Sequence, residues 1–268
     1  MNLKQKDILK KEVLDKGILK LTLDDPKNKN SLSQNMMQEL LNEFKTAAKD
    51  KNTKVIIIAA TGNVFCSGHN LKEITEARKN SDKGKSFYEK LFNLCSALMQ
   101  SIVNCPKPVI AEINGIATAA GCQLVASCDL AVSSNSSKFA TPGVNIGLFC
   151  STPMVALSRN VNKKEAMKML LTGDMINAEY AKKISLINDH VDDSELESSV
   201  IELASKIADK SSMTIKIGKK AFYRQYELSL SDAYEYTSKV MIENALNEDA
   251  KEGIDSFLTK KKPNWKEN

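Results

Sequence analysis

Lys107-Pro108-Val109-Ile110-Ala111-Glu112-Ile113-Asn114-Gly115-Ile116-Ala117-Thr118-Ala119-Ala120-Gly121-Cys122-Gln123-Leu124 decides the architecture. The run from Val109 to Ile113 has the length and apolar character of a strand covered on two faces. Asn114-Gly115 closes it with a turn, and small residues then open a helix. A buried strand feeding a helix is the unit of an α/β core. Small side chains at the helix start let a ligand approach bare backbone N–H groups, and the helix N-terminus favours negative charge. Ala119, Ala120 and Gly121 would equally allow tight helix packing with no ligand, and this stretch alone leaves both readings open.

Working outward, Val55 to Ala60 is a second continuous apolar run, followed by Thr61-Gly62-Asn63-Val64-Phe65-Cys66-Ser67-Gly68-His69-Asn70-Leu71-Lys72. Two strand ends, each leading into a Gly-containing turn, can bring one N–H apiece to a common point, the geometry that polarises a carbonyl. Upstream, Ile8 to Val13 and Ile18 to Leu23 read as a β-hairpin, and Ser31 with Gln34 forms a capping-box pattern ahead of an amphipathic helix. Downstream, a polar loop over Asn80 to Lys85 precedes a helix over Phe87 to Val103. After about Ala178 the patterns are helical (Glu195 to Asp209, Met213 to Tyr226, Ser231 to Asn247), with no further buried-strand run. These features predict an α/β core over residues 1–195 and a helical region over 196–268.

Composition excludes several classes. The net charge of +5 is spread along the chain apart from Lys260, Lys261 and Lys262, which argues against a nucleic-acid binder. No window is long and apolar enough to span a membrane, and Met1 to Lys11 shows no signal segment, so a cytoplasmic protein is expected. The six cysteines show no CxxC pairing and read as reduced core thiols without a metal. No GxGxxG follows the first strand, which disfavours a dinucleotide-dependent oxidoreductase. Asn135-Ser136-Ser137 reads as a polar loop and His190 as a surface residue.

FCSGHNLKE, ending at Glu73, resembles the FxxGxDLKE segment of the crotonase (enoyl-CoA hydratase/isomerase) superfamily, and KPVIAEINGIATAAGCQLVASCDLAV resembles its second signature segment. The resemblance runs through Phe139-Ala140-Thr141-Pro142-Gly143 to Leu171-Thr172-Gly173-Asp174. At finer grain, ATAAGCQLVASCD with FATPGVNIGLFCSTP resembles one subgroup, the enoyl-CoA hydratase domain-containing protein 3 group. The resemblance implies a crotonase-like spiral of repeated ββα units with a helical C-terminal trimerisation region. It implies an acyl-coenzyme A thioester as ligand, with coenzyme A arriving as part of the substrate and no separate cofactor. It also implies a homotrimer or hexamer, in the cytoplasm or, if a transit peptide precedes the chain, in an organellar matrix. By position, the oxyanion hole falls on the N–H groups of His69 and Ala120. Ser67, Leu71 and Lys72 fall in the segment that wraps the coenzyme, and Gly68, Gly121 and Gly143 complete the expected substrate-binding set. Phe257 and Lys260 match a C-terminal element brought near the coenzyme, often from a neighbouring subunit.

The departures concern proton transfer. The superfamily's hydratases place glutamates where this chain has Gln123 and Gly143. An amide orients water but exchanges no proton at neutral pH, and glycine offers no side chain. Losing such a group costs about a hundredfold to ten-thousandfold in rate, so classical hydration is expected to be weak. Restoring both carboxylates is expected to recover at least about a hundredfold, provided that Gly143 tolerates a side chain. Asn70 replaces the superfamily's Asp. The His69 ring, Glu112 as a displaced carboxylate, and Cys122 or Cys150 as a nucleophile are the substitute groups to weigh. An enolate-stabilising lyase or isomerase, with Gln123 orienting water or substrate, and a non-catalytic acyl-CoA-binding protein both fit.

Overall fold

A computed structural model describes residues 8–266; the part of the N-terminal stretch before residue 8 lies outside them. In chain order the elements are β1 (Leu9–Leu14), β2 (Ile18–Leu23), α1 (Gln34–Lys49), β3 (Val55–Ala60), β4 (Val64–Cys66), α2 (Leu71–Ala77), α3 (Lys85–Val103), β5 (Val109–Ile113), β6 (Ile116–Thr118), α4 (Ala120–Ser127), β7 (Leu130–Ser134) and β8 (Lys138–Ala140). There follow α5 (Pro153–Asn160), α6 (Lys163–Thr172), β9 (Ile176–Asn177), α7 (Ala178–Lys183), β10 (Asp189–Val191), α8 (Leu196–Ala208), α9 (Ser212–Gln225), α10 (Leu230–Ala245) and α11 (Glu248–Leu258).

The expected spiral of ββα units is present. One sheet runs β1-β2-β3-β5-β7-β10 and a smaller one runs β4-β6-β8-β9. Each of the pairs β3/β4, β5/β6 and β7/β8 therefore sends its first strand to the large sheet and its second to the small one. Within both sheets the strands of these units run parallel. A short connection can change sheets only if it turns sharply. Gly115, at φ +80°, makes one such turn, so close to Asn63 that a Cβ would lie 2.1 Å from its carbonyl oxygen.

The central strands of the large sheet, β3 and β5, are covered on both faces, which is why they read as mainly apolar runs. One face carries α1, α3 and α4 through Leu40, Phe44, Leu98, Val109, Ala111 and Leu124. The other packs Val55, Ile57 and Ile110 against Leu196, Val200 and Ala204 of α8. Helices α9, α10 and α11 follow outside this core.

Several local expectations are corrected. The cap of α1 is Ser33, whose hydroxyl accepts from Met36 N at 3.1 Å, rather than Ser31. Helix α3 begins at Lys85. A strand does follow Ala178: β10 pairs in parallel with β7 from Asp189 to Val191, and three residues are too few to show a period.

Candidate functional site

The small sheet assembles the site. Because β4, β6 and β8 are parallel neighbours, their C-terminal ends lie side by side, the usual place for a ligand in a parallel sheet. Those ends carry three segments: Ser67 to His69, Ala119 to Gly121, and Thr141 to Gly143.

The first two are locked together. A Cβ on Gly68, which has φ +88°, would lie 3.2 Å from the Ala120 nitrogen and 2.9 Å from the Ala119 Cβ. The Thr118 hydroxyl donates to the Ser67 carbonyl at 3.2 Å. Ala119 has φ 51° and ψ −119°, a conformation unfavourable for any residue with a Cβ. This kink ends β6 and starts α4 at Ala120, and no pattern in the sequence announces it. Among the described residues, neither the His69 nor the Ala120 N–H donates to a protein acceptor. Both belong to peptides next to a glycine or a kink, and Ala120 is also the first residue of a helix, whose opening N–H groups have no intrahelical partner.

The loop between β2 and α1 completes this side. Ser67 N donates to Lys29 O at 3.2 Å and Leu32 N to Gly68 O at 2.8 Å, while Leu32 and His69 form an isolated parallel bridge. Buried Asn30 holds the loop by donating to the carbonyls of Thr61 (2.8 Å) and Val64 (2.7 Å). Asn30 and Lys29 both have left-handed backbone, a conformation asparagine tolerates better than most residues. The consecutive polar residues were the only hint in the sequence.

The His69 ring packs edge-on against Phe92, with centroids 5.6 Å apart. Its Nδ1 lies 3.3 Å from the Leu32 carbonyl oxygen. A carbonyl only accepts, so Nδ1 carries the proton, and in the neutral ring Nε2 is left as the acceptor. Nε2 is buried without a partner. Burial lowers the ring's pKa, partly opposed by the Leu32 hydrogen bond. The Thr141 hydroxyl, at the end of β8, is likewise buried and unpartnered; sequence reading passed over it.

Gln123, on α4, is buried, and its Oε1 is 3.7 Å from Cys95 Sγ. Gly143 does not have left-handed backbone, yet it has no room: a Cβ would lie 2.7 Å from Leu148 O and 2.9 Å from Cys150 Sγ. The Cys122 thiol is pushed up to about 12 by burial, with Cys150 adding to the effect. Burial also raises Cys150, against a backbone hydrogen bond from Gly143. These thiols stay protonated at neutral pH, which makes them poor nucleophiles.

Glu112 is excluded from the site. It shares the α8 face with Ile110 and meets buried Lys20 at 3.1 Å, whose amine also reaches Glu197 at 2.6 Å. Leu71 and Lys72 open α2, exposed, next to the His69 segment. The N-cap of α2 is Asn70, accepting from Lys72 N at 3.0 Å, so the Asp-to-Asn change preserves the cap. Phe257 and Lys260 do not join the site within this subunit: α11 packs against α9 and α10, and Phe257 is 83% exposed.

Comparison with known proteins identifies the family. The enoyl-CoA hydratase/isomerase family profile matches residues 14–268. The chain is 50% identical to enoyl-CoA hydratase domain-containing protein 3, mitochondrial, of Xenopus laevis, covering 93% of this chain and 83% of that protein. The crystal structure of the human protein of that name superposes with a TM-score of 0.91 at 46% identity, covering 96% of this chain and 100% of that one. An enoyl-CoA hydratase from Mycobacterium smegmatis superposes with a TM-score of 0.92 at 42% identity, covering 96% and 98%. By sequence and by fold, the chain belongs to the enoyl-CoA hydratase/isomerase (crotonase) family and resembles its domain-containing protein 3 members.

Proposed function

We propose that this protein binds an acyl-coenzyme A thioester with the thioester oxygen between the N–H groups of His69 and Ala120. The observation that carries this reading is the pair of unpartnered N–H groups on adjoining segments, held by the Gly68 and Ala119 conformations. Such donors stabilise the negative charge that develops on the oxygen as an enolate forms. Leu71 and the Lys72 ammonium border the path of the coenzyme, with Ser67 and Gly68 lining it. Gln123 orients water or substrate. Lacking carboxylates at 123 and 143, the site hydrates enoyl thioesters weakly.

The chain works as a homotrimer or hexamer, with Phe257 and Lys260 reaching the coenzyme of a neighbouring subunit. Support comes from exposed apolar side chains on α10 (Met241, Ile242), just after it (Leu246) and on α11 (Ile254, Phe257, Leu258), which a subunit contact would cover. No helix among the described residues is long and apolar enough to cross a membrane. The mitochondrial naming of the relatives favours an organellar matrix over the cytoplasm.

The residues at 123 and 143 also favour a second reading, a non-catalytic acyl-CoA-binding protein. Incubating the purified protein with a panel of acyl- and enoyl-CoA thioesters, with products analysed by mass spectrometry, separates the two. Turnover of any member supports the enzyme; binding without turnover supports the carrier.

A further inference from the structure

Helix α11 ends in a tight reversal. Lys260 N donates to Phe257 O at 3.2 Å and Lys261 N to Ser256 O at 2.9 Å. This is a Schellman closure, and Lys260 takes the left-handed position, at φ 54°, that usually falls to glycine. From there the chain runs back along the helix: Asn264 N donates to Glu252 Oε1 at 2.8 Å and Lys266 N to Asp249 Oδ1 at 2.6 Å. Residues 261–266 therefore form a strap antiparallel to α11, and Phe257, Leu258 and Lys260 stand exposed at the tip of the hairpin so formed.

The strap is tied down at the far end from that tip. The Trp265 indole N–H donates to the carbonyl of Asp209, the C-cap of α8, at 2.8 Å. Buried Asp249 accepts from Lys266 N with one carboxylate oxygen and from the Ser211 hydroxyl, at 2.5 Å, with the other; Ser211 in turn caps α9. Gly253, in the middle of α11, makes room for the indole, since a Cβ there would lie 3.3 Å from two of its ring carbons. Glycine weakens a helix interior, and this contact gives a reason for its presence. Within the subunit the buried residues of α11 are Asp249 and Ser256, both polar. Hydrogen bonds of the strap, rather than apolar burial, thus fix the direction of the helix.

We propose that Trp265, together with Asp249, is a positioning residue for the coenzyme: by clamping the strap it holds the α11 tip where Phe257 and Lys260 meet the coenzyme of a neighbouring subunit. The inference rests on the assembled thioester site put forward above. A loose tip would have to be ordered at the moment of binding, at a loss of affinity, and a tip held in advance avoids that loss. The Lys260 ammonium can recognise only the phosphate-bearing nucleotide half of the ligand, so the strap acts on that half and leaves the acyl end alone.

The test compares crotonyl-CoA with crotonyl-pantetheine, which lacks the nucleotide, by calorimetry on the full-length protein. Trp265→Ala should weaken crotonyl-CoA binding by about tenfold, the effect of one or two side chains losing their preorganisation, and leave crotonyl-pantetheine within about twofold. Lys260→Ala should have a similar effect, and the double variant should be no worse than the larger single change, because two residues acting through one contact are not additive. Gly253→Leu favours the helix but displaces the indole, and it should reproduce Trp265→Ala. Trp265 is the chain's only tryptophan, so its emission should shift to the red in that variant. Unchanged crotonyl-CoA affinity in Trp265→Ala, an equal loss for the pantetheine thioester, or dissociation of the assembly by light scattering would overturn the positioning role. Crotonyl-CoA binding insensitive to Lys260→Ala would overturn the contact between subunits and the inference with it, leaving the oxygen-binding pair of N–H groups standing. Failure of the wild type to bind any thioester would overturn that reading as well.

Discussion

Gly121 and Cys66 are in backbone contact: a Cβ placed on Gly121 would stand 2.1 Å from the Cys66 carbonyl oxygen. This contact seats the first turn of α4 against β4 and thereby sets the spacing between the Ala120 and His69 peptides. Gly121→Ala is therefore expected to destabilise the fold by about 3 kcal/mol, the upper part of the usual overpacking range, because backbone rather than a flexible side chain must yield. Urea unfolding measures this, and thioester affinity should fall in the same variant. A change below about 0.5 kcal/mol, the level of an ordinary surface substitution, would show that the contact relaxes freely.

Ala119 carries the opposite expectation. Glycine usually weakens a folded segment through the entropy of the unfolded chain, but here the native backbone is one that a Cβ disfavours, at φ 51°. Ala119→Gly should be stabilising by about 1 kcal/mol, the steric relief less the entropic loss. Thermal unfolding would record this as a higher Tm, and a lower Tm would mean that the kink is not strained.

The third expectation reverses one drawn from the sequence. Placing glutamates at 123 and 143 looked sufficient to recover hydration if the Gly143 backbone could accept a side chain. The backbone conformation permits one, but Leu148 O and Cys150 Sγ occupy the space that its Cβ would need. The double change Gln123→Glu with Gly143→Glu should displace the loop from Pro142 to Cys150 and leave crotonyl-CoA hydration within about threefold of the wild type, far short of general acid-base assistance. A rise of a hundredfold, with an unchanged circular dichroism spectrum, would show that the loop adapts.

The ion group on the α8 face gives a pH-dependent prediction. Burial raises the Glu112 pKa, and Lys20 opposes that rise. Burial disfavours the Lys20 charge, but hydrogen bonds and attraction from Glu197 and Glu112 outweigh it and raise its pKa. Removing the amine in Lys20→Met leaves a buried carboxylate unpaired and should cost about 3–5 kcal/mol at neutral pH. A folded pKa above the unfolded one means that stability falls as pH rises between the two values. The Lys20→Met penalty should therefore shrink as pH is lowered through the raised Glu112 pKa, and Glu112→Gln in the same chain should remove that dependence. A penalty constant from pH 7 to pH 4 by denaturant titration would rule out Glu112 as its source.

How much of this was legible depended on segment length and on locality. Val55 to Ala60 announced itself because six apolar residues in a row suit a doubly covered strand, and Val109 to Ile113 did so with four apolar residues of five. Strands β4, β6 and β8 have three residues each, so the second sheet, which aligns the site, had no visible period. Its consequence was still visible through Gly68 and Gly121, whose freedom from a side chain is needed where the segments touch. The face of Glu112 could not be read, since with both faces of β5 buried the alternation that would separate them is lost. Ser33 and Ser31 both suit a helix start by composition, and only the Ser33 hydroxyl meets Met36 N. The loop from Lys29 to Leu32 contributes through hydrogen bonds to residues nearly forty positions away, and local pattern says nothing about those.

The central claim is that a thioester carbonyl is polarised between the N–H groups of His69 and Ala120. It is tested most directly by infrared difference spectroscopy of crotonyl-CoA labelled with carbon-13 at the thioester carbonyl. Bound to the wild type, the labelled C=O stretch should move to lower frequency, as two hydrogen bonds to the oxygen weaken the double bond. In Lys72→Ala, which removes a charge beside the coenzyme path, affinity should fall while the shift of the bound fraction stays the same. A bound thioester whose carbonyl stretch is unmoved from its value in water, or no bound thioester at all, would contradict the account.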